Sequence, residues 1–279
     1  MTEPEGHRLS SGFRRIVTIE VRSKGGPRPS KLVVDQDRSG GRFEAPANTV
    51  VEFKGVRFTD VEFRRVTFEM FVASGSLFKQ CDFRRARIKA GQLGNTRQTV
   101  YLDCRFDGAD LAGVDPLYAR FERCSFDDSN LKEWRAFNAE FVDCHFAGRI
   151  VEAKFSGRLA PSAAAVIQPP RVKNEFHGND FRRATLIDCS FFDGIDLHAQ
   201  LLPEGDEYIL IDNIRERIGK TRAQIARWPD QTAREEALLM LRAYEMVSRG
   251  QEALFARRHD IGTPTAIRNK VWDLLSHPL

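Results

Sequence analysis

Phenylalanine recurs at intervals of five. Phe53, Phe58, Phe63 and Phe68 share one phase, and Val51, Val56, Val61 and Val66 stand two residues before them. The phase continues through Phe78, Phe83 and Ile88. It resumes at Tyr101, Phe106 and Leu111, then at Phe121, Phe126 and Leu131, then at Phe141, Phe146 and Val151, and ends on Phe176, Phe181, Leu186 and Phe191. A period of five matches neither a helix nor a strand. It requires a chain that turns a corner after every repeat, sending one large and one small residue inward and three outward. The 21 Phe against 4 Tyr and 3 Trp agree: the recurring slot takes a flat ring without a polar handle.

Cys104, Cys124 and Cys144 recur every twenty residues, each two before a Phe, so four repeats complete one coil. Cys81 joins that column if three net residues are inserted within 89–98, and Val61 is its first member. The fourth side carries Ala73, Pro116 and Ala136 in its central slots, and the breaks at 89–98 and 156–172 fall there. Both breaks are therefore expected as loops on one edge. The repeats GADLA (108–112), CSFDD (124–128), SNLKE (129–133) and CHFAG (144–148) resemble those of the pentapeptide-repeat proteins. Covering about half of the chain, the resemblance implies a mainly β fold, a right-handed parallel four-sided β-helix with about twenty residues per coil.

The expected organisation is a disordered tail (1–15), an N-terminal β cap (16–50), the β-helix (51–202) and an α-helical C-terminal region (203–279). IVTIEVR (16–22), KLVV (31–34) and TVVEF (49–53) read as strands over the open first coil, because a bare terminal coil exposes unpaired edges. Beyond Pro203 the period turns helical. Ile211, Ile214, Ile218 and Ile225 share one face. Thr232 with Glu235 reads as a capping box, a third helix starts near Gln251 with Leu254 and Phe255, and Thr263-Pro264 opens a fourth. These helices suit a cap on the last coil, or a docking or homodimerisation module.

No run of about eighteen apolar residues spans a membrane. The N-terminus lacks the apolar stretch of a signal peptide and the five Cys lack zinc spacings, so reduced thiols in a cytoplasm are expected. The Cys column occupies inward slots, where Cys acts as a small hydrophobe rather than a metal ladder. His145, His177 and His198 have no metal or general-base spacing, and no phosphate-binding loop, nucleophile elbow or HExxH is present. The expectation is a protein without enzymatic activity or cofactor.

Charge is more informative. Residues 51–100 carry 10 basic and 5 acidic side chains, and residues 101–150 carry 6 and 10. Twenty-residue register stacks Asp103, Arg123 and Asp143, pairs Arg120 with Glu140 and pairs Lys132 with Glu152, as structural ladders. Arg64-Arg65 and Arg84-Arg85 instead stack like on like, with Arg87 nearby, and these five are the candidate partner-binding residues. The columns continue into Asp107, Asp127 and Asp128, so the face changes sign. The functional expectation is a scaffold for another macromolecule, a protein foremost. Some pentapeptide-repeat proteins protect DNA gyrase by mimicking DNA. That reading wants a long negative surface, whereas 51–200 carries 22 basic and 21 acidic residues. Nucleic-acid binding through the basic patch is the third reading.

Overall fold

The computed structural model describes residues 29–258, 260 and 265–277. The segment 16–22 and the Thr263-Pro264 pair lie outside the described residues. Residues from Phe58 to Phe191 wind into six coils of a four-sided parallel solenoid, the form that a five-residue repeat requires. Its first face stacks Phe58, Phe78, Tyr101, Phe121, Phe141 and Phe176 in register. The second face carries Phe63, Phe83, Phe106, Phe126, Phe146 and Phe181, the third Phe68, Ile88, Leu111, Leu131, Ile150 and Leu186. The N-terminal strand Ser30–Val34 pairs in parallel with Thr49–Lys54, and Phe43 extends the second face by one level.

Coil-to-coil ring stacking holds the interior. On the second face successive rings lie nearly parallel, Phe63 to Phe83 at 4.4 Å and 2°, Phe83 to Phe106 at 4.8 Å, Phe106 to Phe126 at 5.0 Å. Tyr101 occupies a Phe slot on the first face, and its hydroxyl donates to the Leu93 carbonyl at 3.0 Å, which satisfies the one polar atom in that stack. Cys81, Cys104, Cys124 and Cys144 form a buried column, which fixes the register across the first break. Each thiol donates to a carbonyl of the coil before, for example Cys124 to Tyr101 at 3.3 Å, and burial pushes the last three thiols well above their usual pKa. Asn179 ends the column.

The fourth face explains its own irregularity. Where the central slot is small, the slot two residues earlier is large: Phe71 accompanies Ala73 and Trp134 accompanies Ala136, all buried. Volume is conserved within each repeat, as a close-packed interior demands. Gly91 stands beside Phe71 in register, and a Cβ there would lie 2.0 Å from the Phe71 carbonyl oxygen. The stretch 89–93 remains in the coil, with the strand Gly91–Gln92 and a buried Leu93, so the first insertion occupies 94–99 rather than 89–98. Its backbone pairs with the second insertion: Gln98 donates to the Gln168 carbonyl and Gln168 to that of Thr96. Both insertions leave the corner between the fourth and first faces. The coil after Phe146 is one residue short, since Arg135 aligns with Lys154. Ile150 therefore fills the third-face slot expected for Val151, which is half-exposed, and Lys132 pairs with Glu133 at 3.4 Å rather than with Glu152.

The C-terminal region is mixed. A short helix, α1 (Pro161–Ala164), lies in the second insertion, and α2 (Ile214–Ile225), α3 (Gln231–Val247) and α4 (Ala266–Ser276) surround a separate apolar cluster. Leu254–Arg257, expected as a helix, is a strand antiparallel to Tyr208–Ile211, so Ile211 is also on a strand. An apolar pair such as Leu254-Phe255 fits either element, and its partner lies far off in sequence. The cap of α3 is Asp230, which accepts the amides of Thr232 and Ala233, in place of the Thr232–Glu235 box, and Thr265 caps α4. This unit joins the last coil: Ala253 and Phe255 belong to the solenoid core, Tyr208 stacks on Phe255, and Gln251 bonds the backbone of Gly194 and Ile195. Among the described residues no helix is long and apolar enough to cross a membrane.

Candidate functional site

Outward residues of adjacent coils sit about 4.8 Å apart, so every charged column either pairs or repels. On the first face Arg120 meets Glu140 at 3.4 Å and Glu175 at 2.9 Å, and at its edge Arg123 meets Asp103 at 2.8 Å. On the third face Lys89 meets Glu69 at 2.6 Å and Arg87 meets Asp110 at 3.5 Å. The second face differs. Glu62, Asp82 and Arg105 stack on one side of its central Phe column, and the Arg65 amide donates to the Arg84 carbonyl, placing the two arginine pairs on consecutive coils.

The five arginines separate into two kinds. Arg84 is clamped by Asp82: Oδ1 accepts both the Arg84 amide (3.0 Å) and Nε (2.9 Å), and Oδ2 accepts Nη2 (2.6 Å). Burial opposes ionisation of Asp82, yet these bonds hold its carboxyl below the usual range. Arg87 is engaged by Asp110. Arg64, Arg65 and Arg85 have no side-chain hydrogen bond or ion pair among the described residues, and the Nε of Arg64 is buried without a partner. Arg65 and Arg85 stand exposed at the corner with φ of 58° and 57°, which points both side chains away from the coil.

One methylene explains the difference between Arg64 and Arg84. Both follow an acid and a Phe, as Glu62-Phe63-Arg64 and Asp82-Phe83-Arg84. A third copy, Asp180-Phe181-Arg182, repeats the aspartate geometry, with Asp180 accepting the Arg182 amide at 3.0 Å, Nε at 3.0 Å and Nη2 at 2.7 Å. An aspartate two residues back reaches amide and guanidinium together. Glu62 turns to Arg42 of the preceding coil at 3.8 Å and leaves Arg64 unpaired. The sequence therefore carried a signal in Asp-x-Arg against Glu-x-Arg that charge counting passes over. Further along, the columns become acidic with Asp107, Asp127 and Asp128. Asp127 holds His145 at 2.5 Å, and Asp128 has no ion pair among the described residues.

A cluster of unengaged guanidinium groups can take carboxylate or phosphate oxygens through charge-assisted, bidentate bonds. Among the described residues no group of three or more His, Cys, Asp or Glu could hold a metal ion.

No family model matches the chain, and no curated protein matches it either. Among solved structures, a trypsin-treated variant of QnrB1, a plasmid-mediated fluoroquinolone resistance protein, is 15% identical over 62% of this chain and 86% of its own, with a TM-score of 0.34. Full-length QnrB1 is 14% identical, covering 62% and 92%, with a TM-score of 0.26. HetL, a pentapeptide-repeat protein involved in heterocyst differentiation regulation in the cyanobacterium Nostoc sp., is 12% identical over 63% and 82%, with a TM-score of 0.23. The solenoid is established by the strand pairing of this chain itself.

Proposed function

We propose that this pentapeptide-repeat solenoid is a non-enzymatic scaffold that docks an anionic macromolecule, a protein foremost, at the corner formed by Arg64, Arg65 and Arg85. The observation that carries the reading is that these three guanidinium groups have no partner among the described residues, on a surface where the neighbouring Arg84 and Arg87 are engaged. Like charges on adjacent strands destabilise a sheet, by roughly 0.2–1 kcal/mol a pair, and a bound anion offsets that cost. Protein carboxylates suit three separated guanidinium groups. Single-stranded nucleic acid would also want an exposed aromatic platform at the same place, and the Phe residues of this corner are buried. DNA mimicry at gyrase would use a continuous acidic surface, whereas the acidic stretch here spans only the coils of Asp107 and Asp127.

The test compares the parent with R64Q/R65N/R85N for capture of proteins from a lysate. Asparagine is chosen at 65 and 85 because it tolerates positive φ. Partners held by the parent and lost by the variant support the reading, and identical capture refutes it. A DNA-shift assay at two salt concentrations and a gyrase supercoiling assay with a quinolone separate the other two readings.

A further inference from the structure

Deepening the docking reading, and resting on it, we propose that one anionic partner of the arginine corner is a second copy of this chain, bound face to face through the second face in a two-fold dimer. Charges on this face are ordered by sign along the solenoid axis. The column just after the central Phe reads Arg64, Arg84, Asp107, Asp127, two cations followed by two anions. The corner column reads Arg65, Arg85, Gly108, Asp128, and the column before the Phe has Asp82 followed by Arg105.

Place a two-fold axis in the plane of this face, across the solenoid, midway between the coils of Phe83 and Phe106. The second copy is then turned end for end while each column faces itself. Arg84 meets Asp107 of the second copy, Arg64 meets its Asp127, Arg65 meets its Asp128, and Asp82 meets its Arg105. Every pair has opposite signs, and each forms twice because the contact is isologous. On the first and third faces Arg120, Arg123, Lys89 and Arg87 are instead engaged by acids of neighbouring coils within the chain.

Competition within the chain ranks the contacts. Arg84 is held by Asp82, which also draws Arg105 at 3.6 Å, and Asp127 bonds His145 with Arg183 at 3.9 Å. Arg64, Arg65 and Asp128 have no ion pair among the described residues, so Arg65 with Asp128 and Arg64 with Asp127 dominate. A face about 24 Å long and about 12 Å wide covers roughly 300 Å² on each copy, against about 800 Å² in a standard interface. The dimer is accordingly weak, driven by charge and sensitive to salt.

Sedimentation equilibrium of the parent at about 20 mM and about 500 mM salt tests this, together with R64D/R65D and D127R/D128R. The parent should dimerise at low salt and weaken at least about tenfold at high salt. Each doubly swapped variant should stay monomeric alone, because its face repels itself, and an equimolar mixture should restore a heterodimer. Arginine at 128 keeps the corner that Arg65 and Arg85 adopt, and the single swaps R65D and D128R supply a milder pair should a double variant fold poorly. A parent that stays monomeric at low salt overturns the proposal, as does a dimer that the swaps leave intact. A monomeric parent that still binds poly-glutamate overturns the dimer alone. A parent that does neither removes the docking reading as well.

Discussion

The side chain of Asn179 stands in the Cys column at the level after Cys144, and its Oδ1 accepts the Cys144 amide at 3.0 Å. Its Nδ2 donates to the Phe141 carbonyl and to Oε1 of Gln200, whose own amide group bonds the Phe176 and Asp196 carbonyls. The column thus changes from thiol to carboxamide where the chain returns from its second insertion and the backbone pairing becomes irregular between His145 and Ala147.

Replacing Asn179 by Ala takes the side-chain acceptor from the buried Cys144 amide and one donor from the Phe141 carbonyl, and the unpaired amide costs about 1–3 kcal/mol. N179A should lose about 1–3 kcal/mol in chemical denaturation, while a surface change such as D196N stays within about 0.5 kcal/mol. Equal stability of N179A and the parent would show that the carboxamide is dispensable.

Glu140 ties both insertions to the first face. Its buried carboxylate accepts from Gln98 (2.7 Å) and the Glu175 amide (3.1 Å), and lies 3.4 Å from Arg120 and 3.2 Å from Arg171. E140A takes the carboxylate from the mostly buried Arg171, leaving it the Asn138 carbonyl and Asn174 Oδ1, which should cost about 3 kcal/mol. Hydrogen exchange should quicken selectively in 94–99 and 157–173. Unchanged exchange in both segments would contradict the clasp.

Asp260 supplies a pH dependence. Burial foremost, together with the nearby Asp188 and Glu207 charges, pushes its carboxyl up to about 6, with one oxygen lacking a hydrogen bond. A raised carboxyl binds its proton in the native state at pH values where the unfolded chain has released it, so stability falls as pH rises from about 4 through 6. D260N removes that loss. The midpoint difference, D260N minus parent, should be larger and more positive at about pH 7.5 than at about pH 4.5. A difference independent of pH would sink the assignment.

The sequence made the ring columns legible because a period of five recurs through Phe, Tyr, Leu and Ile on both sides of the first insertion. Three net inserted residues carried Cys81 across the break to Cys104. It could not reveal that Phe71 and Trp134 compensate for Ala73 and Ala136, since two slots share one volume. Ile150 and Val151 are both apolar, so a coil one residue short leaves no mark in composition. The Leu254–Arg257 strand depends on pairing with Tyr208–Ile211, far away in sequence. At the arginine corner the stacking was legible from spacing. The division into clamped and free guanidinium groups required the reach of Asp against Glu.

That division gives the most direct test of the docking account. E62D keeps the net charge and every arginine, yet should fold its carboxylate back onto Arg64 as Asp82 does onto Arg84. Calorimetric titration with poly-glutamate at low salt should show about fivefold weaker binding for E62D and at least tenfold weaker, nearly salt-independent binding for R64Q/R65N/R85N. Binding by both variants as tight as that of the parent would contradict the account.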